Sequence, residues 1–227
     1  VRKHITDAGL ALIKKQSANA EGDLLAYVQE LLDLDGVYSE IIGSTPGEGY
    51  CNGDATALKA AREAFEEFVN KDIGKSASAE LLSNFCDNLL KRSGERLSDE
   101  ALEDKLEKVV RLFGYLFDKN TFSQFYRNQL AKRLLLAPSE VDSAERSMIA
   151  KLKLRGGSQF THDMEGMMTV MRLSQDIQSA FAEHVKDKEL GTDLSVQVLT
   201  TKFWPQYKSD ELKLPKEMLQ CVEAFKA

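Results

Sequence analysis

Apolar residues recur at steps of three and four along the chain up to about residue 190. This spacing is typical of amphipathic α-helices, and it is clearest after Ser98, where six apolar residues follow it: Leu102, Leu106, Val109, Val110, Phe113 and Phe117. A single helix of this kind cannot bury its apolar stripe alone, so the helices must pack against one another. The sequence therefore predicts a mainly α fold built as a bundle.

Good helix N-cap residues divide this region into segments, among them Asp23, Asp54, Ser98 and Asp118. We predict helices over residues 6–16, 23–41, 54–71, 78–91, 98–117, 118–134, 142–152, 159–171 and 174–186. The pair Gly156-Gly157 follows a helical pattern and indicates a helix C-cap. One shared core is expected from six side chains: Phe113, Phe117, Phe122, Phe125, Tyr126 and Leu130.

The pattern changes after Gly191. Leu194 to Thr200 alternates apolar and polar residues and is rich in β-branched side chains, which predicts a strand. Phe203-Trp204-Pro205 ends it, and Pro215 begins a last helix over 215–226. Because one strand cannot form a sheet, its partners must come from another chain or from segments after Ala227.

Composition narrows the function classes. The 227 residues carry a net charge of -6, which argues against general nucleic-acid binding. No apolar run reaches the roughly 18 residues that span a bilayer. The three cysteines, Cys51, Cys86 and Cys221, lie far apart without a CxxC pair, which argues against a disulfide framework and a zinc site. We expect no metal, cofactor, nucleic-acid partner or membrane partner, and no catalytic residue.

Two groups of residues have a functional and a structural interpretation. Glu63, Glu66 and Glu67 could be paired acid–base carboxylates, but their helical spacing favours a solvated face. The methionines of 164–171 could line a peptide groove, but core filling is favoured. They are Met164, Met167, Met168 and Met171.

Basic residues form two clusters, each near the end of a predicted helix. Arg127, Lys132 and Arg133 form the first, which we interpret as a solvated face that complements the helix dipole. The second cluster consists of Lys91, Arg92 and Arg96. It has the same dipole interpretation.

Several segments resemble the cullin family, the scaffolds of multisubunit RING ubiquitin ligases. The strongest are LEDKLEKVVRLFGYLFDKNTFSQFYRNQLAKRLL at 102–135, SAERSMIAKLK at 143–153, QFTHDMEGMM at 159–168, LSVQVLTTKFWPQY at 194–207 and LPKEMLQCVEAF at 214–225. FCDNLLKR at 85–92 fits the same pattern, and residues 1–70 resemble it more weakly.

The resemblance implies a three-part organisation. Residues 1–72 would be the end of the third helical cullin repeat, 76–190 the four-helix bundle of the C-terminal domain, and 191–227 the start of an α/β subdomain. The adaptor-binding repeat and the lysine that receives the ubiquitin-like modifier would lie outside this chain.

The resemblance also implies a non-catalytic scaffold of the cytoplasm and nucleus. Its partners would be a RING-box protein, a ubiquitin-conjugating enzyme and a cullin-exchange factor, with an adaptor and substrate receptor bound through segments absent here. The RING-box protein would add a strand at Leu194, Val196, Val198, Leu199 and Trp204. The conjugating enzyme's acidic tail would meet Lys91, Arg92 and Arg96. The alternative is an unrelated helical adaptor or solenoid that binds peptides.

Overall fold

The computed structural model describes residues 1–18, 23–43, 49–71, 77–91, 97–136, 142–186, 192–207 and 212–226. Within these ranges the chain forms nine helices and no strand, which confirms the predicted mainly α fold. The helices are α1 (Arg2–Ala18), α2 (Leu24–Ile42), α3 (Ala55–Val69), α4 (Ser78–Leu90), α5 (Asp99–Tyr115), α6 (Lys119–Leu136), α7 (Asp142–Gly156), α8 (Ser158–His184) and α9 (Lys216–Lys226).

The predicted N-caps begin their helices. In each, a side-chain oxygen accepts a hydrogen bond of 2.9 to 3.2 Å from a backbone N–H two or three residues later. This bond satisfies one of the N–H groups that a helix N-terminus leaves unpaired. The four residues confirmed in this role are Asp23, Asp54, Ser98 and Asp118.

Gly157 separates α7 from α8. Its φ of +84° lies in the left-handed region, which glycine adopts without the steric cost that a Cβ imposes. Its N–H donates to the carbonyl of Lys153 at 2.9 Å and ends α7, as the Gly-Gly pair predicted. The separate helices predicted over 159–171 and 174–186 are wrong, because α8 is continuous for 27 residues. Ser174 does not start a new helix; it lies on the buried stripe of α8.

A single hydrophobic core runs from α1 to α8 and crosses the predicted boundary near residue 72. At this junction the rings of Phe65 on α3 and Tyr115 on α5 stack with centroids 5.0 Å apart. The hydroxyl of Tyr115 donates to buried Asp35 on α2 at 3.1 Å, and Arg111 on α5 lies 2.9 Å from the same carboxylate. The first three helices are therefore firmly attached to the bundle that follows.

Asn70, the C-cap of α3, fixes the turn at the end of α5. Its amide donates to the carbonyls of Glu66 and Tyr115, both at 2.8 Å, and its side-chain oxygen accepts from the N–H of Phe117 at 2.8 Å. Because α5 ends at Tyr115, the helical period that placed Phe117 in the core no longer applies. Leu116 is buried instead and the Phe117 side chain is 73% exposed, so its predicted core position is wrong.

Four other predicted core residues, Phe113, Phe122, Tyr126 and Leu130, are buried in the hydrophobic core of the bundle. Phe113 contacts Phe122 with ring centroids 5.0 Å apart, and Phe122 stacks on Tyr126 at 5.7 Å. Phe125 is only half-buried and does not belong to this core, so its predicted core position is wrong. The bundle is formed by α4 on α6, α5 on α7, α7 on α8 and α6 on α8.

The sulfur-containing residues behave largely as core filling. Met164, Met167 and Met171 are buried on α8, which confirms the structural interpretation, and Met168 is half-buried. Cys86 and Cys221 are buried free thiols. Burial raises the pKa of the Cys86 thiol well above its ordinary value, so this cysteine is a small hydrophobe rather than a nucleophile.

The strand predicted over Leu194–Thr200 does not form within the described residues. The start of an α/β subdomain is accordingly not observed, and the residues of 192–207 form an irregular segment alongside α8. The physical reason is that no second strand lies beside this segment within the described residues, and the N–H groups of Val196 and Val198 bind side chains of α8 instead.

Candidate functional site

The extended segment, residues 194–199, is attached to α8 by three hydrogen bonds. The N–H of Val198 donates to the Ser174 hydroxyl at 2.7 Å, and the N–H of Val196 donates to Oε1 of Gln178 at 2.8 Å. Nε2 of Gln178 donates to the carbonyl of Leu194 at 3.0 Å. All three bonds involve even-numbered residues, so they lie along one edge of the segment, as in an extended chain. We call this the inner edge.

The opposite edge of the extended segment consists of the N–H and carbonyl groups of odd-numbered residues, and we call it the outer edge. The N–H groups of Ser195, Gln197 and Leu199 have no hydrogen-bond partner within the described part of the chain. Ser195 and Gln197 are also exposed at their side chains. The outer edge is thus an unpaired edge of the kind that accepts an added strand.

The side chains predicted to meet the RING subunit lie in different environments. Leu194, Val196 and Leu199 are half-buried, and Val198 is 39% exposed. Trp204 is 5% exposed. The tryptophan belongs to the buried core, so only the four aliphatic residues are accessible to a partner.

Phe203 fixes the end of the segment against α8. Its ring lies over Gly166, where an added Cβ would be 2.6 Å from the ring, so this close approach requires glycine. His162 on α8 contacts the same ring edge-on with centroids 5.5 Å apart. The Nζ of Lys202 lies 5.0 Å from the ring centroid, at a distance that permits a cation–π interaction.

The helix α9 packs on the last turns of α8 beside this segment. The rings of Phe225 and Phe181 meet edge-on with centroids 5.1 Å apart, and the Cys221 thiol donates to the carbonyl of Thr192 at 3.4 Å. Several apolar side chains around this contact are more than a third exposed. They are Ile177 on α8, Leu214 before α9, and Met218 and Leu219 on α9.

The second predicted site, the basic cluster at the end of α4, is described only at Lys91, since Arg92 and Arg96 lie outside the described residues. The Nζ of Lys91 forms an ion pair with Asp87, one turn earlier on α4. The other oxygen of Asp87 accepts a hydrogen bond from Arg133. Lys91 is exposed, so it is the solvent end of a charge network that begins inside the bundle.

Arg133 is the centre of that network and is buried at 4% exposure. Its guanidinium binds Asp87 on α4 and Glu145 on α7, and Glu145 also accepts from the hydroxyl of Tyr126 at 2.8 Å. The solvated-face interpretation of Arg133 is therefore wrong. Lys132 beside it is exposed as predicted, and Arg127 pairs with Asp163 on α8 at 2.9 Å.

The pKa values of Arg133 and Tyr126 are shifted within this network. Burial by itself lowers the pKa of Arg133, but the negative charge of Glu145 and the hydrogen bonds to Glu145 and Asp87 raise the pKa above its ordinary value. Burial raises the pKa of Tyr126 well above its usual range, and the charge of Glu145 adds to this. Arg133 thus stays charged inside the bundle. The carboxylates of Asp87 and Glu145 balance the positive charges of Arg133 and Lys91.

Two buried charges could have been predicted from the sequence, because each lies at an apolar position of a helical repeat. Arg133 follows Tyr126 by seven residues and Leu130 by three, which places it on the apolar stripe of α6. Asp35 follows Leu31 by four residues and Leu32 by three, on the stripe of α2. A charged residue at a core position of a helix predicts a buried ion pair.

The glutamates of α3 occupy a solvated face, as predicted. Glu63 and Glu67 pair with Arg2 at 2.8 and 3.6 Å, and Glu66 pairs with Arg62 at 2.8 Å. In the described ranges no cluster of His, Cys, Asp and Glu has an arrangement that could bind a metal ion. Nor is any described helix both long and apolar enough to cross a bilayer.

Comparisons with known proteins identify relatives of the whole chain. A family model described as the cullin alpha solenoid domain matches residues 1–178. Cullin-1 of Oryza sativa subsp. japonica is 44% identical over 99% of this chain, and Cullin-2 of Arabidopsis thaliana is 42% identical over 100% of it. Cullin-3 of Dictyostelium discoideum is 38% identical over 100% of the chain.

The matched region is about a third of each relative, namely 32%, 32% and 28% of their lengths. The family model includes the charge network of Arg133 and most of α8. The relatives extend the match through the segment that follows, since they cover nearly all of this chain. The chain belongs to the cullin family.

Proposed function

We propose that this chain is the central part of a non-catalytic scaffold subunit of a RING-type ubiquitin ligase. Such a scaffold accelerates transfer by holding a loaded conjugating enzyme near the substrate, which raises the effective concentration of the acceptor lysine. Family membership supports this proposal. The continuous core from α1 to α8 supports it as well, because a scaffold must transmit position through a stiff body.

The outer edge of the extended segment is the observation that carries the proposal. A RING-box protein docks there as an added strand, and its backbone pairs with Ser195, Gln197 and Leu199. The side chains of Leu194, Val196, Val198 and Leu199 provide the apolar contact, while Trp204 remains in the buried core. Affinity then comes from main-chain hydrogen bonds, and specificity comes from the alternating side chains.

The basic end of α4 attracts the acidic tail of a ubiquitin-conjugating enzyme through Lys91, Arg92 and Arg96. Long-range attraction of this kind raises the association rate and weakens as salt is added. Lys91 is shared with Asp87, so an incoming acidic residue has to compete for it.

Stopped-flow association of the assembled ligase with an acidic-tailed conjugating enzyme tests this role. We expect the double variant K91E/R92E to associate roughly tenfold more slowly at low salt, with the difference disappearing at high salt. The matched control K105E/K108E changes the net charge equally on α5 and should retain the original rate. Equal slowing by both pairs would show that only the overall charge matters.

Other features of the scaffold follow from the same proposal. A cullin-exchange factor binds the assembled protein, and an adaptor with its substrate receptor binds through segments outside this chain. The protein acts in the cytoplasm and nucleus, without nucleic-acid or membrane partners. Residues 1–72 end a third helical repeat, 76–190 form the bundle of the C-terminal domain and 191–227 begin its α/β subdomain.

Co-purification of the intact protein from cells tests the proposal against a helical adaptor that only binds peptides. We expect a small zinc-containing RING protein in equimolar amount, identified by mass spectrometry and by metal analysis. An adaptor would be recovered without such a partner. The unrelated-adaptor alternative is already weakened, because the family model covers residues 1–178.

A further inference from the structure

The spacing of Ser174 and Gln178 on α8 matches the repeat of an extended chain. Four residues of a helix advance by about 6 Å, and two residues of a strand advance by about 6.6 to 6.8 Å. Ser174 and Gln178 are four apart and bind N–H groups that are two apart, those of Val198 and Val196. The two side chains therefore stay in register with one edge of the segment.

Gln178 makes the same pair of bonds as a backbone amide of a neighbouring strand. A carboxamide carries an acceptor and a donor on one planar group, and here the acceptor binds the N–H of Val196 while the donor binds the carbonyl of Leu194. The hydroxyl of Ser174 accepts from the next N–H of the inner edge, that of Val198, and Ser174 is 2% exposed. A buried hydroxyl on an apolar helix stripe is costly unless it is hydrogen-bonded, which explains why it is directed at Val198.

We infer that α8 substitutes for a β-strand: Ser174 and Gln178 hold the inner edge of the extended segment in a half-ladder before any partner binds. A partner strand can then pair only along the outer edge, at Ser195, Gln197 and Leu199. The segment is ordered in advance, so the partner does not have to supply the free energy of ordering it. This inference rests on the proposed function for the identity of the partner, a strand from the RING subunit.

Backbone hydrogen exchange at single-residue resolution tests the half-ladder in the intact protein without its partner. We expect the amides of Val196 and Val198 to exchange at least about tenfold more slowly than those of Ser195 and Gln197, because only the first two are bonded. S174A should accelerate exchange selectively at Val198. The matched control S179A removes an exposed hydroxyl that binds the carbonyl of Gln175, and it should change neither valine.

A conservative variant separates the half-ladder from general packing. Q178E keeps an acceptor for the N–H of Val196 but loses the donor to Leu194, so Val196 should remain protected. Q178A loses both groups, and Val196 should then exchange as fast as Ser195. Uniform exchange from 194 to 199, or protection of Val198 that survives S174A, would overturn the inference.

Titration with the RING-box protein distinguishes the two proposals. We expect S174A/Q178A to weaken binding roughly tenfold, and we expect bound partner to protect Ser195 and Gln197. If the valines are protected but no RING-box protein binds, the proposed function fails while the half-ladder stands. If the partner binds the double variant as tightly as the original protein, the half-ladder has no role in docking and the inference fails.

Discussion

Arg133 on α6 and Asp87 on α4 form an ion pair in the interior of the bundle. The same guanidinium binds Glu145 on α7, so one cation joins three helices. Asp87 in turn binds Lys91 at the surface. Two cations and two carboxylates thus balance along a path from the core to a predicted docking patch, and each buried charge has an opposite charge beside it.

Replacing Arg133 with Met should strongly destabilise the protein. The substitution keeps most of the side-chain volume but leaves the Asp87 and Glu145 carboxylates without their buried cation, so the free energy of unfolding should fall by about 3–5 kcal/mol. Urea denaturation followed by circular dichroism measures this. K132M next to it removes an exposed charge and should change stability by less than about 0.5 kcal/mol. Similar small losses for both would mean that the network contributes little.

Phe122 and Phe125 lie three residues apart on α6 but differ in burial. Phe122 is fully buried between Phe113 and Tyr126, whereas Phe125 is half-buried. We expect F122A to cost about 3–5 kcal/mol of unfolding free energy and F125A clearly less, because a cavity forms only where the site is enclosed. Thermal and urea denaturation of the two variants give the comparison. A larger loss for F125A would contradict the packing of α6 described above.

The carboxyl of Asp35 makes stability depend on pH. Burial raises the pKa of Asp35 above its ordinary value near 3.8, although Arg111 and Tyr115 oppose the shift. The folded state therefore holds this proton more tightly than the unfolded state, so the contribution of Asp35 is greatest below the unfolded pKa. That contribution is lost as the pH rises through the folded pKa.

The variant D35N isolates this effect, since its amide does not titrate. We expect the unfolding free energy of the original protein minus that of D35N to fall as the pH is raised from about 3.5 to 7. Urea denaturation at a series of pH values provides the two curves. If the difference rises with pH instead, the attraction of Arg111 outweighs the burial of Asp35.

The periodicity of apolar residues predicted the helices well, because the position of a helix is determined largely by residues close together in the chain. The N-caps at Asp23, Asp54 and Ser98 and the cap at Gly157 depend on residues within a few positions of each other. Periodicity failed at Phe117, because α5 ends two residues earlier, at Tyr115. The turn there is held by Asn70, which is distant in the sequence. Periodicity also failed at Ser174, whose polar side chain indicated a helix start but serves a distant backbone N–H.

The geometry of the predicted site depends on hydrogen bonds between residues far apart in the chain, and a local sequence pattern does not reveal such bonds. Alternation over Leu194–Thr200 predicted a strand, which does not form within the described residues. It could not tell that side chains of α8 would bind the N–H groups of Val196 and Val198. The edge that α8 occupies determines which substitution tests docking. Proline at Val198 would remove the donor to Ser174 on the inner edge, whereas proline at Gln197 removes an outer-edge donor.

Binding of the RING-box protein to the intact protein with Gln197 replaced tests the central claim most directly. Q197P removes one outer-edge N–H, and Q197A removes the side chain but keeps that N–H, so the two variants separate backbone pairing from side-chain contact. We predict by titration calorimetry that Q197A binds like the original protein and that Q197P loses at least about tenfold in affinity, with unchanged helical circular dichroism. Binding by Q197P as tight as by Q197A would contradict docking of the RING subunit along the outer edge.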